Sequence, residues 1–336
     1  MALHDSGTRI GVLILVFCLA VPGAAFAQQE ASWQGQTAGQ WAEALGDEDE
    51  RVQWYAAYAL GQLGPQAAVA VDPLIAVLAE RRQHEYVRGN AAWALGRIGV
   101  AGGPVVQVLI DTVDTRKHMS VRRNCPRALG LLGPAAEAAV PALLPLLEDS
   151  DPTVRANAAV ALWKIAGHEK AIPTLIDMLR RGKASAPIEA TVALGRLDAE
   201  PAAVVPALLE AFRHVDRDVH RSAARAIGQI GPAALASLKQ PLSDADPEVC
   251  RTAVEALGWI GPRAVPGLIY ALRNNAPQAR RAAARALARL GPVARSAEAA
   301  LIQAVNDSDR DVRQAAAAAL KEIRRTENTE PLPQSP

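Results

Sequence analysis

The sequence is poor in aromatic side chains: six Trp, four Tyr and three Phe in 336 residues, although half of the chain is hydrophobic. A core with so few rings must be assembled from small and medium side chains in close contact, and a chain rich in Ala and Leu favours helices. Charge of one sign is lacking as well. A net charge of +1 excludes a generally basic polyanion binder, so electrostatic recognition must come from where charges sit and not from their sum. The sequence also has no phosphate-cradling glycine loop, nucleophile-elbow pattern or metal-ligand spacing.

Cysteine is nearly missing. Of three Cys, Cys18 lies in a leader-like segment. His4 and Arg9 precede an apolar run, Ile10 to Ala20, that is too short to span a bilayer comfortably, and Pro22, Gly23 and Ala25-Phe26-Ala27 follow it. This predicts a secretory signal over residues 1–27, cleavage after Ala27 and a mature chain starting near Gln28. A secreted or periplasmic location follows, with no stable membrane insertion after cleavage. An uncleaved anchor is the alternative. Lipidation of Cys18 is disfavoured, because Phe17 is bulky and Cys18 sits inside the run.

What the chain has in quantity is self-similarity. "AAYALGQLGP" at 56–65 returns as "AAWALGRIG" at 91–99 and "TAVEALGWIGP" at 252–262. With the Leu of each "ALG" as anchor, the copies fall at Leu60, Leu95, Leu129, Leu162, Leu194, Ile227, Leu257, Leu287 and Leu320, spaced 35, 34, 33, 32, 33, 30, 30 and 33 residues apart. Nine copies at this period mean stacked units, each too small to bury its apolar face alone. Ala or Cys125 stands four residues before each anchor, Ala one before it and Leu or Ile three after it. Val precedes seven of the nine anchors by eight. These offsets trace one face of an α-helix.

The helices end in Gly or Gly-Pro, as at Gly64-Pro65, Gly99, Gly133-Pro134, Gly167, Gly231-Pro232, Gly261-Pro262 and Gly291-Pro292. A left-handed glycine cap is expected there, with Pro opening the next helix. Turns such as Asp149-Ser150-Asp151-Pro152 and Asp244-Ala245-Asp246-Pro247 offer N-cap oxygens to the second helix of each hairpin. Pro126, inside one second helix, is expected to kink it or displace its start. Cys125 and Cys250, four repeats apart, are expected unpaired, Cys125 in a core position and Cys250 in a more exposed one.

With Asp151, Val154-Arg155, Ala158-Ala159, Ala161-Leu162 and Ile165-Ala166-Gly167 and their equivalents over residues 37–325, the chain resembles the HEAT-repeat family, in particular the short HEAT-like units of phycobilin lyase subunits. The resemblance implies an all-α fold, a right-handed α-solenoid (superhelix) of about nine HEAT-like helical hairpins over 28–325, with second helices on the concave side. The polar, Pro-rich 326–336 reads as a disordered tail. The resemblance also implies that Arg88, Arg122, Arg155, Arg280 and Arg313 pair with turn aspartates of neighbouring repeats, for which Asp151, Asp216, Asp246 and Asp309 are suitable. Repeat five departs from the pattern, with Ala186-Pro187 in place of Val-Arg.

If packing fixes the recurring positions, function belongs where the copies differ. Six and two residues before the anchor the chain reads Trp54/Tyr58, Gly89/Trp93, Arg123/Arg127, Ala156/Val160, Ile188/Val192, Arg221/Arg225, Arg251/Glu255, Arg281/Arg285 and Gln314/Ala318. Arg97, Lys164, Arg196, Trp259 and Arg289, two after the anchor, extend this strip. Trp54, Tyr58 and Trp93 are candidate anchors for a protein partner, and Arg123, Arg127, Arg221, Arg225, Arg281 and Arg285 for its acidic groups. The alternative is an arginine face that only solvates Ala-rich helices, with aromatics that cap the first repeat. Asn90, Asn124 and Asn157 share one position and suggest a hydrogen-bond ladder.

The pairs His84-Glu85 and His168-Glu169 invite comparison with deoxyhypusine hydroxylase, whose His-Glu pairs recur at equivalent helical positions. Here they do not: one precedes a second helix and the other follows one. No cofactor, metal or catalytic set is therefore expected. Resemblance to HEAT-like bilin lyases or to the deoxyhypusine hydroxylase type leaves an enzyme or enzyme subunit as the alternative function, and HEAT-like DNA glycosylases supply a nucleic-acid alternative that export disfavours.

Overall fold

A computed structural model describes residues 32–113 and 118–325. The expected signal peptide and the expected C-terminal tail lie outside the described residues. Among these residues the nine second helices are Glu50–Leu63, Glu85–Ile98, Met119–Leu132, Pro152–Ala166, Ala186–Gly195, Arg217–Ile230, Pro247–Ile260, Pro277–Leu290 and Arg310–Ile323. A first helix or a pair of tighter helical turns precedes each, from Ala38–Ala44 to Glu298–Ala304. The chain is an all-α solenoid, as the period of the sequence demands.

The anchors and the alanines beside them form its core. Leu60, Leu95, Leu129, Leu162, Leu194, Ile227, Leu257 and Leu287 are buried, as is every residue four before an anchor. Leu320, in the last of the described repeats, is only half-buried. At the other end the cover is aromatic. A two-stranded ribbon, Ser32–Trp33 with Gln36–Thr37, turns through Gln34 and Gly35 at positive φ. It lays Trp33 against Trp41, Tyr55 and Tyr58, with ring centroids 5.3–6.1 Å apart. These rings seal the apolar face that a preceding repeat would otherwise cover.

The glycine of "ALG" has a role that periodicity does not reveal. A Cβ on Gly96 would lie 2.6 Å from Ala128 Cα, one on Gly130 3.0 Å from Ala161 Cα, and one on Gly195 2.7 Å from Ala226 Cα. Successive second helices thus cross at backbone contact, each glycine against the alanine preceding the next anchor. First helices of successive repeats touch far less. The more tightly spaced layer lies inside the curve, so the second helices line the concave side.

Turn aspartates cap the second helices as expected: Asp151 accepts from Val154 N at 3.0 Å, Asp246 from Glu248 N at 2.9 Å, and Asp309 from Asp311 N and Val312 N. The ladder partner of Arg122 and Arg280 is a different aspartate, one that also accepts the amide of the capping residue two positions on. Arg280 binds Asp307 through both oxygens at 2.7 Å, and Arg122 binds Asp149. Both acids stand two residues before the cap and reach across to the preceding repeat. Arg155 and Arg313 instead donate to backbone carbonyls of their own turns. Arg88, 1% exposed, donates to Leu78 O at 3.0 Å.

Other details depart from expectation. Only Gly99 and Gly167 take the left-handed cap conformation. The Gly-Pro glycines keep positive φ but have ψ between −131° and −147°, because proline excludes the helical ψ from the residue before it. The helix Met119–Leu132 starts seven residues before Pro126 and runs through it, so its start is not displaced. Cys250 is as buried as Cys125, at 1% and 0% exposure. Its first-turn position faces back onto its own hairpin, where the thiol meets Asp244 O at 3.1 Å. Both cysteines are free, and burial pushes the Cys125 thiol up to about 12. Finally, Glu50–Ala79 and Met119–Glu148 are long and apolar enough to cross a membrane by composition. Each is a second helix joined to the next repeat's first helix and broken at Gly64 or Gly133, where φ is positive.

Candidate functional site: a zoned concave groove

Trp54, Tyr58 and Trp93 form one stack along the groove. Trp54 and Tyr58, one helical turn apart, lie 5.9 Å centroid to centroid and 2° from parallel. Tyr58 and Trp93, on neighbouring repeats, are 5.5 Å apart at 16°. Trp93 reaches this position because Gly61 leaves room: a Cβ there would lie 2.2 Å from its ring. Trp54 remains 41% exposed. The rings form one continuous cluster, in which Trp33, Trp41 and Tyr55 belong to the end cap, Trp54 and Trp93 face the groove, and Tyr58 touches both sets, lying 5.8 Å from Trp33.

The arginines do not form a uniform strip. Arg123 binds Asp151 at 2.6 Å, Arg221 binds Asp218 at 2.6 Å, and Arg281 binds Asp311 at 2.6 Å. Burial opposes ionisation of Asp151, but hydrogen bonds from Arg123 and the Val154 amide outweigh it and hold its carboxyl below the usual range. Arg225 lies over the Trp259 ring at 4.9 Å, an intramolecular cation–π contact. Four of the six predicted arginines are thus engaged within the chain. Position alone cannot show this, because their partners come from other offsets of the same or the next repeat. Gly89 and Ala156, also on the predicted strip, are buried. At Gly89 the next helix approaches so closely that a Cβ would meet Ser120 Oγ at 2.0 Å.

Arg127 and Arg285 remain without an acidic partner among the described residues. Arg127 stands in the middle of the groove between two adjoining hollows of about 210 and 390 Å³, both also lined by Asn157, Glu189 and Arg196. Lys164 lines the smaller one. Partial enclosure, and then the charges of Arg196 and Arg97, pull the pKa of Arg127 down. Here cations gather against one another, with Glu189 as an acid of both hollows and Glu85 as a second acid of the larger one. Lys164 and Arg196, two after their anchors, matter because they meet Arg127, two before its own, in the smaller hollow, whereas Arg97 donates to Gly61 O at 3.3 Å. Asn157 donates to Arg123 O at 2.8 Å and Asn90 to Trp54 O at 3.4 Å, so these asparagines tie each second helix to a carbonyl of the preceding one.

The His-Glu pairs stand at helix boundaries, His84 ahead of the helix that Glu85 opens and His168-Glu169 in the turn after another. His84 caps its helix, accepting from Tyr86 N, and His168 accepts from Lys170 N. Among the described residues no group of three or more His, Cys, Asp or Glu is placed to hold a metal ion.

Stacked helical hairpins with a concave, ring- and arginine-lined groove define an α-solenoid. The family profile for HEAT repeats matches residues 40–122, 106–195, 205–275 and 265–334, and the chain belongs to the HEAT-repeat family. Among solved structures it is similar to an engineered protein, at 24% identity over 86% of this chain and 89% of that one, with a TM-score of 0.39. It is also similar to human deoxyhypusine hydroxylase in complex with glycerol, at 28% identity over 68% of this chain and 86% of that one, with a TM-score of 0.29. Neither superposition is close enough to carry an activity across. No curated protein matches the chain.

Proposed function

We propose that this chain is an exported, secreted or periplasmic, non-enzymatic scaffold that holds a protein partner along its concave groove. The observation that carries this reading is the Trp54–Tyr58–Trp93 stack, which places aromatic faces in a groove where solvation alone would favour polar side chains. Tyr58, Trp93 and Arg127 occupy equivalent positions of successive repeats, so the ring platform leads directly into the cationic hollow. Neighbouring helices lie about 8–10 Å apart and an extended peptide advances about 3.3 Å per residue. One repeat therefore corresponds to about three residues of a bound strand. The fitting partner is an extended segment with a proline or aromatic residue over the rings and an Asp or Glu about three residues further on.

The test is capture from an envelope extract with three forms of the protein: the parent, a Tyr58→Ala/Trp93→Ala variant, and an Arg127→Glu/Arg196→Glu variant. The proposal requires one defined protein on the parent and its loss from both variants. Equal capture by all three would refute it.

A further inference from the structure

Two repeats are three residues short, and a cleft stands beside the deletion. Where the period is longer, the lead-in to the first helix is a seven-residue turn, as in Gly64–Ala70, Gly133–Ala139 and Gly291–Ala297. Before the anchor Leu287, at a spacing of 30, it shrinks to Pro262–Ala264. In the preceding repeat, also 30 long, the first helix is reduced to the 3₁₀ segments Gly231–Leu238 and Pro241–Ser243. Between the first-helix layers of these two short repeats, on the face opposite the groove, lies a cleft of about 730 Å³.

Its floor reaches the core. Leu242 and Leu257, 4% and 1% exposed, line it together with Leu235, Pro266 and Tyr270. Gly267 keeps its wall open, since a Cβ there would stand 3.0 Å from Leu257. Two cations complete the lining, Lys239 from one repeat and Arg263 from the shortened lead-in of the next, and neither has an acidic partner among the described residues. A depth that reaches core leucines, a volume within the roughly 300–1,000 Å³ of small-molecule sites and a few polar groups on an apolar lining are what such sites share.

From this geometry we propose that the cleft binds an aliphatic monocarboxylate, its chain lying on Leu235, Leu242 and Leu257 and its carboxylate held by Lys239 and Arg263. This site is independent of the groove, and either can fail without the other. The cations select an acid over a neutral alkyl chain, and the apolar floor selects an alkyl tail over a free anion.

Titration of the purified protein with dodecanoate, followed calorimetrically, tests this. Saturable one-to-one binding is expected, weakened about tenfold for dodecanol, which gives up the two charge contacts at the exposed rim. Ala236→Trp, at an exposed lining position, is expected to abolish binding by filling the cleft. Lys239→Glu/Arg263→Glu, on two exposed side chains, should weaken it at least as much as loss of the carboxylate does. No saturable binding, equal affinity for dodecanol, or binding that survives Ala236→Trp would each overturn the assignment.

Discussion

Replacing Gly96 by alanine inverts the usual sign of a glycine-to-alanine change in a helix. Within the helix Glu85–Ile98 the change should gain about 0.8–1 kcal/mol from propensity. The new methyl carbon, however, would stand 2.6 Å from Ala128 Cα and 2.8 Å from its Cβ, where carbon atoms are at ease near about 3.5–4.0 Å. Backbone cannot rotate away as a side chain can, so the two second helices must part by about 1 Å at their crossing. Overpacking of this kind costs about 1–3 kcal/mol, which leaves a net loss of about 1 kcal/mol. Gly39 supplies the control: it lies in Ala38–Ala44, is exposed, and a Cβ there meets nothing nearer than Thr37 Oγ1 at 3.9 Å. Gly39→Ala should therefore stabilise by about 0.5–1 kcal/mol. Urea titrations of the helical circular dichroism signal compare the two, read as midpoint shifts because a solenoid need not unfold in one step. Opposite shifts are expected. If Gly96→Ala raises the midpoint as Gly39→Ala does, the close crossing is not what holds the stack.

The same reasoning extends to other positions. Gly61→Ala should displace Trp93 from the ring stack, and a change in the near-ultraviolet circular dichroism of the aromatics, with helical content retained, would report it. Hydrogen bonding to Arg280 holds the Asp307 carboxyl below the 3.8 of a free aspartate. Its stabilising effect is then complete above that value and lost as pH falls through the lower, folded-state value. Asp307→Asn should cost about 1–3 kcal/mol at neutral pH and flatten the acid limb of the stability curve, which urea midpoints measured from neutral to strongly acidic pH will show. Cys125 and Cys250, both buried, should resist alkylation at mildly alkaline pH until the chain is unfolded; rapid labelling of either in the folded protein would contradict their placement.

Much of the fold was legible because packing repeats itself. An Ala before every anchor and a branched residue three after it fix which helical face is buried, and a Gly or Gly-Pro step fixes where seven of the nine second helices end. The function of the "ALG" glycine was not legible, since a helical glycine reads as a cost until the neighbouring helix is in place. The ladder aspartates are not legible for a related reason: Asp149 and Asp151 each accept a backbone amide and an arginine, and only the turn geometry gives Asp149 to Arg122 and Asp151 to the neighbouring Arg123. In the candidate site, Trp54, Tyr58 and Trp93 converge as their positions imply. Arg221, Arg225 and Arg281 share the exposed strip with Arg127, yet their charges are answered within the chain by Asp218, Trp259 and Asp311. An offset from an anchor tells where a side chain starts, not which acid it finds.

The central claim is that the concave groove is the surface on which a protein partner lies. The most direct measurement places a photo-crosslinking amino acid at Trp54, at Leu131 in the central hollow, or at Ile302 on a first helix, all three exposed, and identifies what is joined on illumination in an envelope extract. The account predicts that one and the same protein is linked from positions 54 and 131 and is not linked from 302. Linkage from 302 with none from the groove positions would contradict it.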